Sequence, residues 1–319
     1  MLTLPDFKEK KIVFVYNKYD LANELKFTNS NLRLYHDGKF INQMTYHLIL
    51  SIFIVGNTTI TSKVIQEAGK RGISIFFLDE SLRTYAEIIS SADGNYLLRQ
   101  KQYQMKIEEE LFFAKLLVQN KIKNQFLVLK QYSNENLHDK KIATLNTIAA
   151  IDNFNDLLGL EGRFAKDYFA EIFKDFGWVR RSPRTRQDIE NFLLDIGYTF
   201  LFNYIDSLLQ LFGFDTYKGV YHRLFFQRKS LACDVMEPFR PIIDKELVKS
   251  RNLGKFNEKD FVFKKGEFGF KDYEKRKKYT DIFLQALMDN REEIYLFILN
   301  FYRFFVNQEK YKFKEFNIK

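Results

Sequence analysis

The sequence predicts an α+β protein in which a mostly β first domain, residues 1–95, is followed by an α-helical second domain, residues 96–319. Three observations predict it. A chain of 319 residues exceeds the size at which one hydrophobic core usually stops growing, so two domains are expected. Up to about Asp93 the apolar residues come in short runs of branched and aromatic side chains separated by polar turns, a pattern that suits pleated sheet. After Gly94-Asn95 the texture changes to long segments of 3.6-residue period with few glycines and almost no proline, which favours helices.

Taken in order, strands are predicted over 11–16, 31–35, 39–45, 47–55, 73–78 and 85–89. Asp37-Gly38 lies between two of them and marks a tight hairpin, because both turn positions need positive φ. Residues 61–71 read as a helix with Thr61 or Ser62 as N-cap and Gly72 ending it. Helices are predicted over 96–132, 138–150, 151–176, 186–212, 230–250 and 281–306. Residues 180–186, with three arginines ahead of the helix and Pro183 inside, read as a basic loop in which Thr185 serves as N-cap. Residues 251–280 read as a second basic, glycine-interrupted connection. No repeat at a fixed period is present.

Composition narrows the class. Hydrophobic residues make up 46% of the chain, enough for a globular core. The net charge of +9 is uneven, with 12 Lys/Arg against 10 Asp/Glu in residues 1–100 and 38 against 31 in the remainder. A basic partner surface is therefore expected mainly in the C-terminal part, suited to phosphate backbones, acidic proteins or anionic lipid alike. The single cysteine, Cys233, excludes an internal disulfide and a cysteine-rich zinc site. The opening residues lack a basic segment leading into an apolar run, and the longest apolar stretches, such as 48–55, are too short to cross a bilayer. The expectation is a soluble cytoplasmic protein with no membrane partner. No Gly-rich phosphate loop with its lysine, no Gly-x-Ser-x-Gly elbow and no His-Glu-x-x-His helix occurs, which removes the commonest nucleotide-hydrolysing, esterase and zinc-protease readings.

Chemistry concentrates in residues 230–241, Ser-Leu-Ala-Cys-Asp-Val-Met-Glu-Pro-Phe-Arg-Pro, just after Tyr221-His222. Asp234 and Glu237 stand three apart and share a helix face, where two anions repel unless one is protonated or a cation joins them. Upstream, Glu161 sits between Gly159 and Gly162 in an otherwise apolar helix. Each of those glycines costs about 1 kcal/mol against alanine, which suggests that something approaches the backbone closely there; simple helix packing is the alternative. Of the four histidines, His36, His47 and His138 lack suitably placed acids, whereas His222 has them. A site of Glu161, His222 and Glu237, with Asp234 alongside, fits a hard divalent cation such as Mg2+ or Mn2+, since oxygen ligands dominate and one nitrogen is offered. Tyr168, Asn191 and Tyr198 are the candidates for a polar cleft around it. Phosphoryl transfer is the chemistry that uses every part.

Together these segments resemble the CRISPR-associated integrases of spacer acquisition, the CRISPR-associated protein number one family. The resemblance rests on Glu161-Gly162, Ala165 and Tyr168-Phe169, then Asn191, Leu194 and Gly197-Tyr198, then Gly219 to His222, then Ser230 to Pro241, in the family's order. Residues 55–61, 72–79 and 98–103 agree more loosely with its strand and linker signatures. It implies a β-sandwich-like N-terminal dimerisation domain and an α-helical catalytic domain. It also implies a homodimer joined to a small ferredoxin-like partner, CRISPR-associated protein number two. The implied metal ligands are Glu161, His222 and Glu237, with Asp234 a nearby acid of less settled role. The implied substrates are double-stranded and branched DNA and a CRISPR repeat, with Arg163, Arg223, Arg228, Lys229 and Arg240 positioning phosphates and Tyr168 and Asn191 in support. Pro238 departs from relatives that continue the helix past the final acid. It removes an amide and restricts Glu237, so a kink is expected. A non-catalytic nucleic-acid-binding scaffold, and a metal-dependent nuclease outside defence, are the alternatives the residues leave open.

Overall fold

The computed structural model describes residues 9–17, 22–79, 82, 84–89, 95–132, 136–223 and 226–319; the change of texture at Asp93-Gly94 lies outside them. The N-terminal part is two four-stranded sheets. The first has the order β1 (Lys11–Tyr16), β5 (Ile49–Val55), β7 (Ser74–Leu78), β8 (Thr84–Ile88), with the first three parallel and β8 antiparallel. The second has the order β4 (Lys39–Thr45), β3 (Asn31–His36), β2 (Asn23–Thr28), β6 (Thr58–Ile60), antiparallel except for the β2–β6 pair. Asp37 (φ +46°) and Gly38 (φ +74°) make the expected turn between β3 and β4.

Alternation along the pleat splits the core in two. Ile52, Ile54 and Ile75 face the second sheet, where they pack with Leu25, Leu32 and Val15. Phe53, Val55, Phe76 and Leu78 face the opposite way, into the core of the helical part. This is why β5 is buried along its whole length and reads as a continuous apolar run. Helix α1 (Ser62–Lys70), capped by Thr61 and followed by Gly72 at φ +72°, adds Val64 and Ala68 to the sheet–sheet core. Two strands were not legible. β2 alternates Leu25 and Phe27 with Glu24 and Lys26, and β6 is three residues long. The residues 46–48 ahead of β5 form a 3-10 turn rather than the start of the strand.

The helical part begins with α2 (Tyr96–Gln104) and α3 (Ile107–Tyr132), so the single helix expected over 96–132 is broken at Met105, whose backbone is extended. It continues with α4 (His138–Ala150), α5 (Phe154–Ile172) and α6 (Ile189–Leu211). Asp188, not Thr185, caps α6, accepting from the Asn191 amide at 2.6 Å; the Thr185 hydroxyl donates to the Ser182 carbonyl instead. The expected 230–250 helix is α7 (Ser230–Met236), a 3-10 turn (Glu237–Phe239) and α8 (Arg240–Asn252), broken at the proline step. The connection over 251–280 holds a hairpin, β9 (Phe261–Lys264) and β10 (Glu267–Phe270), and the first half of α9 (Tyr273–Asp289), which Asp272 caps. Asn290 separates α9 from α10 (Arg291–Val306).

The last residues fix the site's scaffold. Asn120 and Asn124 on α3 pair with the backbone of Phe316 and Ile318, and Asn124 also donates to the Pro238 carbonyl at 3.2 Å. Three distant segments are thereby joined beside Glu237. No helix among the described residues is long and apolar enough to cross a membrane.

Candidate metal and catalytic centre

Asp234 organises the first half of the centre. It is fully buried on α7 and accepts from four donors: its Oδ2 from the amides of Val220 (2.7 Å) and Tyr221 (2.9 Å), its Oδ1 from the His222 amide (2.9 Å) and from His222 Nδ1 (2.5 Å). Gly219 allows this approach, since a Cβ there would lie 2.6 Å from Asp234 Oδ2 and 2.8 Å from Ser230 Cβ. With Nδ1 engaged, Nε2 is the imidazole nitrogen left for a ligand, the arrangement in which a carboxylate orients a metal-binding histidine.

The second half gathers on Lys121, which points from α3 into the interior with a side chain 6% exposed. Its ammonium pairs with Glu161 Oε1 on α5 and lies 2.6 Å from Glu237 Oε2 on the 3-10 turn. The remaining oxygens are claimed separately. Tyr221 donates its hydroxyl to Glu161 Oε2, and Arg240 Nη1 donates to Glu237 Oε1 at 2.9 Å. Glu237 Oε2 thus has the Lys121 ammonium as its cationic partner. Burial alone would raise the Glu237 pKa, but Arg240 and Lys121, with a smaller pull from His222, hold it down to about 2. Burial likewise opposes the charge on Lys121, and Glu161 and Glu237 outweigh it, so its pKa is raised. The Tyr221 hydroxyl is pushed up by burial and then by Glu161, so it remains a donor.

A supporting layer lies behind Arg240, whose guanidinium stacks 4.2 Å from the Tyr198 ring centroid. Tyr198 and Tyr168 both donate to Asp244 on α8, Tyr168 at 3.1 Å. Gly197 brings α6 against α8, because a Cβ there would meet Ile243 Cγ2 at 2.4 Å. Asn191 stands further out. It receives Arg181 Nη1 at 2.6 Å and the Ser182 amide at 2.8 Å, pinning the basic loop, and Arg181 in turn stacks over Tyr198.

The expected phosphate-positioning residues divide by exposure. Arg163 and Arg223 are exposed, Arg228 is half-buried, and Arg240 is committed to Glu237. Lys229 faces inward: it pairs with Asp206 Oδ2 at 2.8 Å and with Glu87 of β8, tying α7 to α6 and the first sheet. Its charge is neutralised within the fold. The reading of Gly159 and Gly162 as a close backbone approach is also corrected, since a Cβ at Gly162 would meet nothing within 4 Å and one at Gly159 only the Arg163 side chain.

Sequence reasoning missed Lys121 and Asp244. For Lys121 a signal existed, because it falls on the α3 face carrying Ala114, Leu117, Val118 and Val128, all buried, where a surface lysine has no place. Among the described residues no group of three or more acids, histidines or cysteines stands close enough to form a ready-made metal cage. The donor chemistry nonetheless suits a hard cation: two carboxylates converge on one cationic position, and His222 is oriented by Asp234.

The fold and this centre define a class, two packed β-sheets joined to a helical domain with an acid and imidazole centre at its heart. Residues 20–285 match the family model described as CRISPR associated protein Cas1. The chain belongs to the Cas1 family. It is 30% identical over 292 residues to a protein of Thermodesulfovibrio yellowstonii named CRISPR-associated endonuclease Cas1 1, covering 84% of this chain and 89% of that one. It shares its fold with a casposase bound to integration product (TM-score 0.81, 20% identity, 97% of this chain and 94% of that chain). A chain of a Cas6-RT-Cas1–Cas2 complex is also similar (TM-score 0.75, 22% identity, 98% of this chain and 36% of that chain).

Proposed function

We propose that Glu161, His222 and Glu237 hold one divalent ion, magnesium or manganese, and with it carry the strand transfer of this CRISPR-adaptation integrase and endonuclease. The observation that carries the reading is the convergence of Glu161 and Glu237 on a single buried cationic position. In the reaction the 3′-hydroxyl oxygen of a captured DNA fragment bonds to phosphorus at a CRISPR repeat boundary. The bond from that phosphorus to the repeat strand's leaving oxygen breaks, so one phosphodiester is exchanged for another. An ion held by Glu161, His222 and Glu237 would supply Lewis acidity for the phosphodiester.

The chain's own residues do the rest. Asp234 holds His222 with Nε2 free, and Tyr221 holds Glu161. Arg240 helps to keep Glu237 ionised, and Arg163 and Arg223, exposed at the surface, are placed to take phosphates. A homodimer working with the small ferredoxin-like CRISPR-associated protein number two, on double-stranded and branched DNA, is the matching assembly. The Cas6-RT-Cas1–Cas2 complex among the fold's neighbours supports the small partner. The test is reconstitution with the small partner and a repeat-bearing plasmid, scored for half-site and full-site products. Glu161→Ala is expected to abolish joining while DNA is still retained; joining at the wild-type rate would overturn the assignment.

A further inference from the structure

Lys121 stands at the one position both carboxylates share. Glu161, Glu237, Lys121 and Arg240 form a set of two negative and two positive charges, balanced without any added ion. The lysine is nearly sealed from water, and α3 is anchored on both sides of it by Asn120 and Asn124. Removing such a charge from water is costly, so a buried lysine is retained only where its counter-charges repay it. Arg240 already holds Glu237 Oε1, and Tyr221 already holds Glu161 Oε2. Lys121 pairs with both Glu161 Oε1 and Glu237 Oε2, the latter 2.6 Å away. These are the oxygens that face one another across the centre.

We infer that Lys121 is an internal counter-ion that keeps Glu161 and Glu237 together and competes with the divalent ion for the oxygens they share. This rests on the metal reading given above. Two buried carboxylates drawn to one cation repel each other when it is taken away, and a divalent ion arriving beside an ammonium is itself repelled. The flexible four-carbon stem lets the ammonium withdraw while α3 stays fixed. Lys121 is thus a positioning residue that sets how tightly the centre takes its metal.

The test compares Mn2+ binding to the purified full chain and to Lys121→Met, by the electron paramagnetic resonance of free Mn2+, together with thermal unfolding in EDTA and in Mn2+. Lys121→Met is expected to unfold at lower temperature in EDTA and to bind Mn2+ about ten-fold tighter or more, with a larger Mn2+-dependent rise in Tm than wild type. Lys121→Arg keeps the charge and is expected to return affinity towards the wild-type value. A salt bridge with a purely structural role would lower stability without tightening metal binding, so equal or weaker Mn2+ affinity in Lys121→Met overturns the inference while leaving the metal reading standing. Absence of Mn2+ binding in both proteins overturns that reading and this inference with it. Lys121→Gln, which keeps a hydrogen-bonding end without the charge, gives the same comparison should the methionine variant not fold.

Discussion

The Tyr221 hydroxyl donates to Glu161 Oε2 at 2.5 Å, joining residues 60 positions apart. Because Tyr221 is followed at once by His222, one dipeptide serves both halves of the centre, the tyrosine fixing Glu161 and the histidine taking its orientation from Asp234. Tyr221→Phe removes only the donor. We expect strand transfer to fall by about 10- to 100-fold, the usual effect of losing an outer hydrogen bond to a metal-binding group, with a stability loss of about 1 kcal/mol. Integration assays and urea unfolding of the same preparation separate the two; a variant with wild-type joining would show that Glu161 needs no such restraint.

Gly219→Ala tests the cradle around Asp234. The added methyl would lie 2.6 Å from Asp234 Oδ2, closer than real contacts allow, so the 219–222 turn must shift and carry the imidazole with it. A displacement on the order of 1 Å at a catalytic group costs roughly 100-fold in rate. The expected outcome is a folded protein, by circular dichroism, with little joining activity. Undiminished activity would show that the turn has slack the geometry does not suggest.

Two buried acids give opposite pH dependence. Asp244 is raised from its usual 3.8 to about 6, mainly by burial, with Tyr198, Arg240 and Tyr168 opposing. Between those values the folded protein binds a proton the unfolded chain has lost, so this contribution to stability falls as pH rises from 3.8 towards 6. Glu237, lowered from 4.5 to about 2, contributes stability that is complete above 4.5 and is lost as pH falls towards 2. Asp244→Asn should therefore flatten the profile of urea midpoint against pH between about 4 and 6, and Glu237→Gln should flatten it below about 4.5. Profiles parallel to wild type in those windows would refute both assignments.

Lys229 and the exposed arginines should part company in salt titrations. Arg163→Ala and Arg223→Ala are each expected to lower the slope of log K against log salt for DNA by about one. Lys229→Met leaves that slope unchanged, since its ammonium is already matched by Asp206 and Glu87. It should instead destabilise the fold by about 3 to 5 kcal/mol, because it strands the fully buried Asp206. An altered salt slope in Lys229→Met would place that residue on DNA after all.

The apolar run of β5, the Asp37-Gly38 turn and the Thr61 cap could be read from the chain because each is a local rule: branched and aromatic residues in a short run, positive φ, one side-chain acceptor. The hairpin over 261–270 could not, since its short strands are held by each other, by Arg186 and by the α6 and α9 surfaces, of which Arg186 and α6 lie far from it in sequence. The broken helix at Pro238 was foreseen from the proline's missing amide, but where the kink aims Glu237 depends on Asn124 and on a C-terminal segment far along the sequence.

What the sequence singled out by itself was a set of candidates: Asp234 and Glu237 by their three-residue spacing beside His222, and Glu161 with them by resemblance to the family. Which of them face one another was decided in three dimensions. Lys121 sits among them because α3 lies between α5 and the turn after α7, and that packing follows from apolar surface buried across the whole helical core, a non-local sum that no short segment encodes.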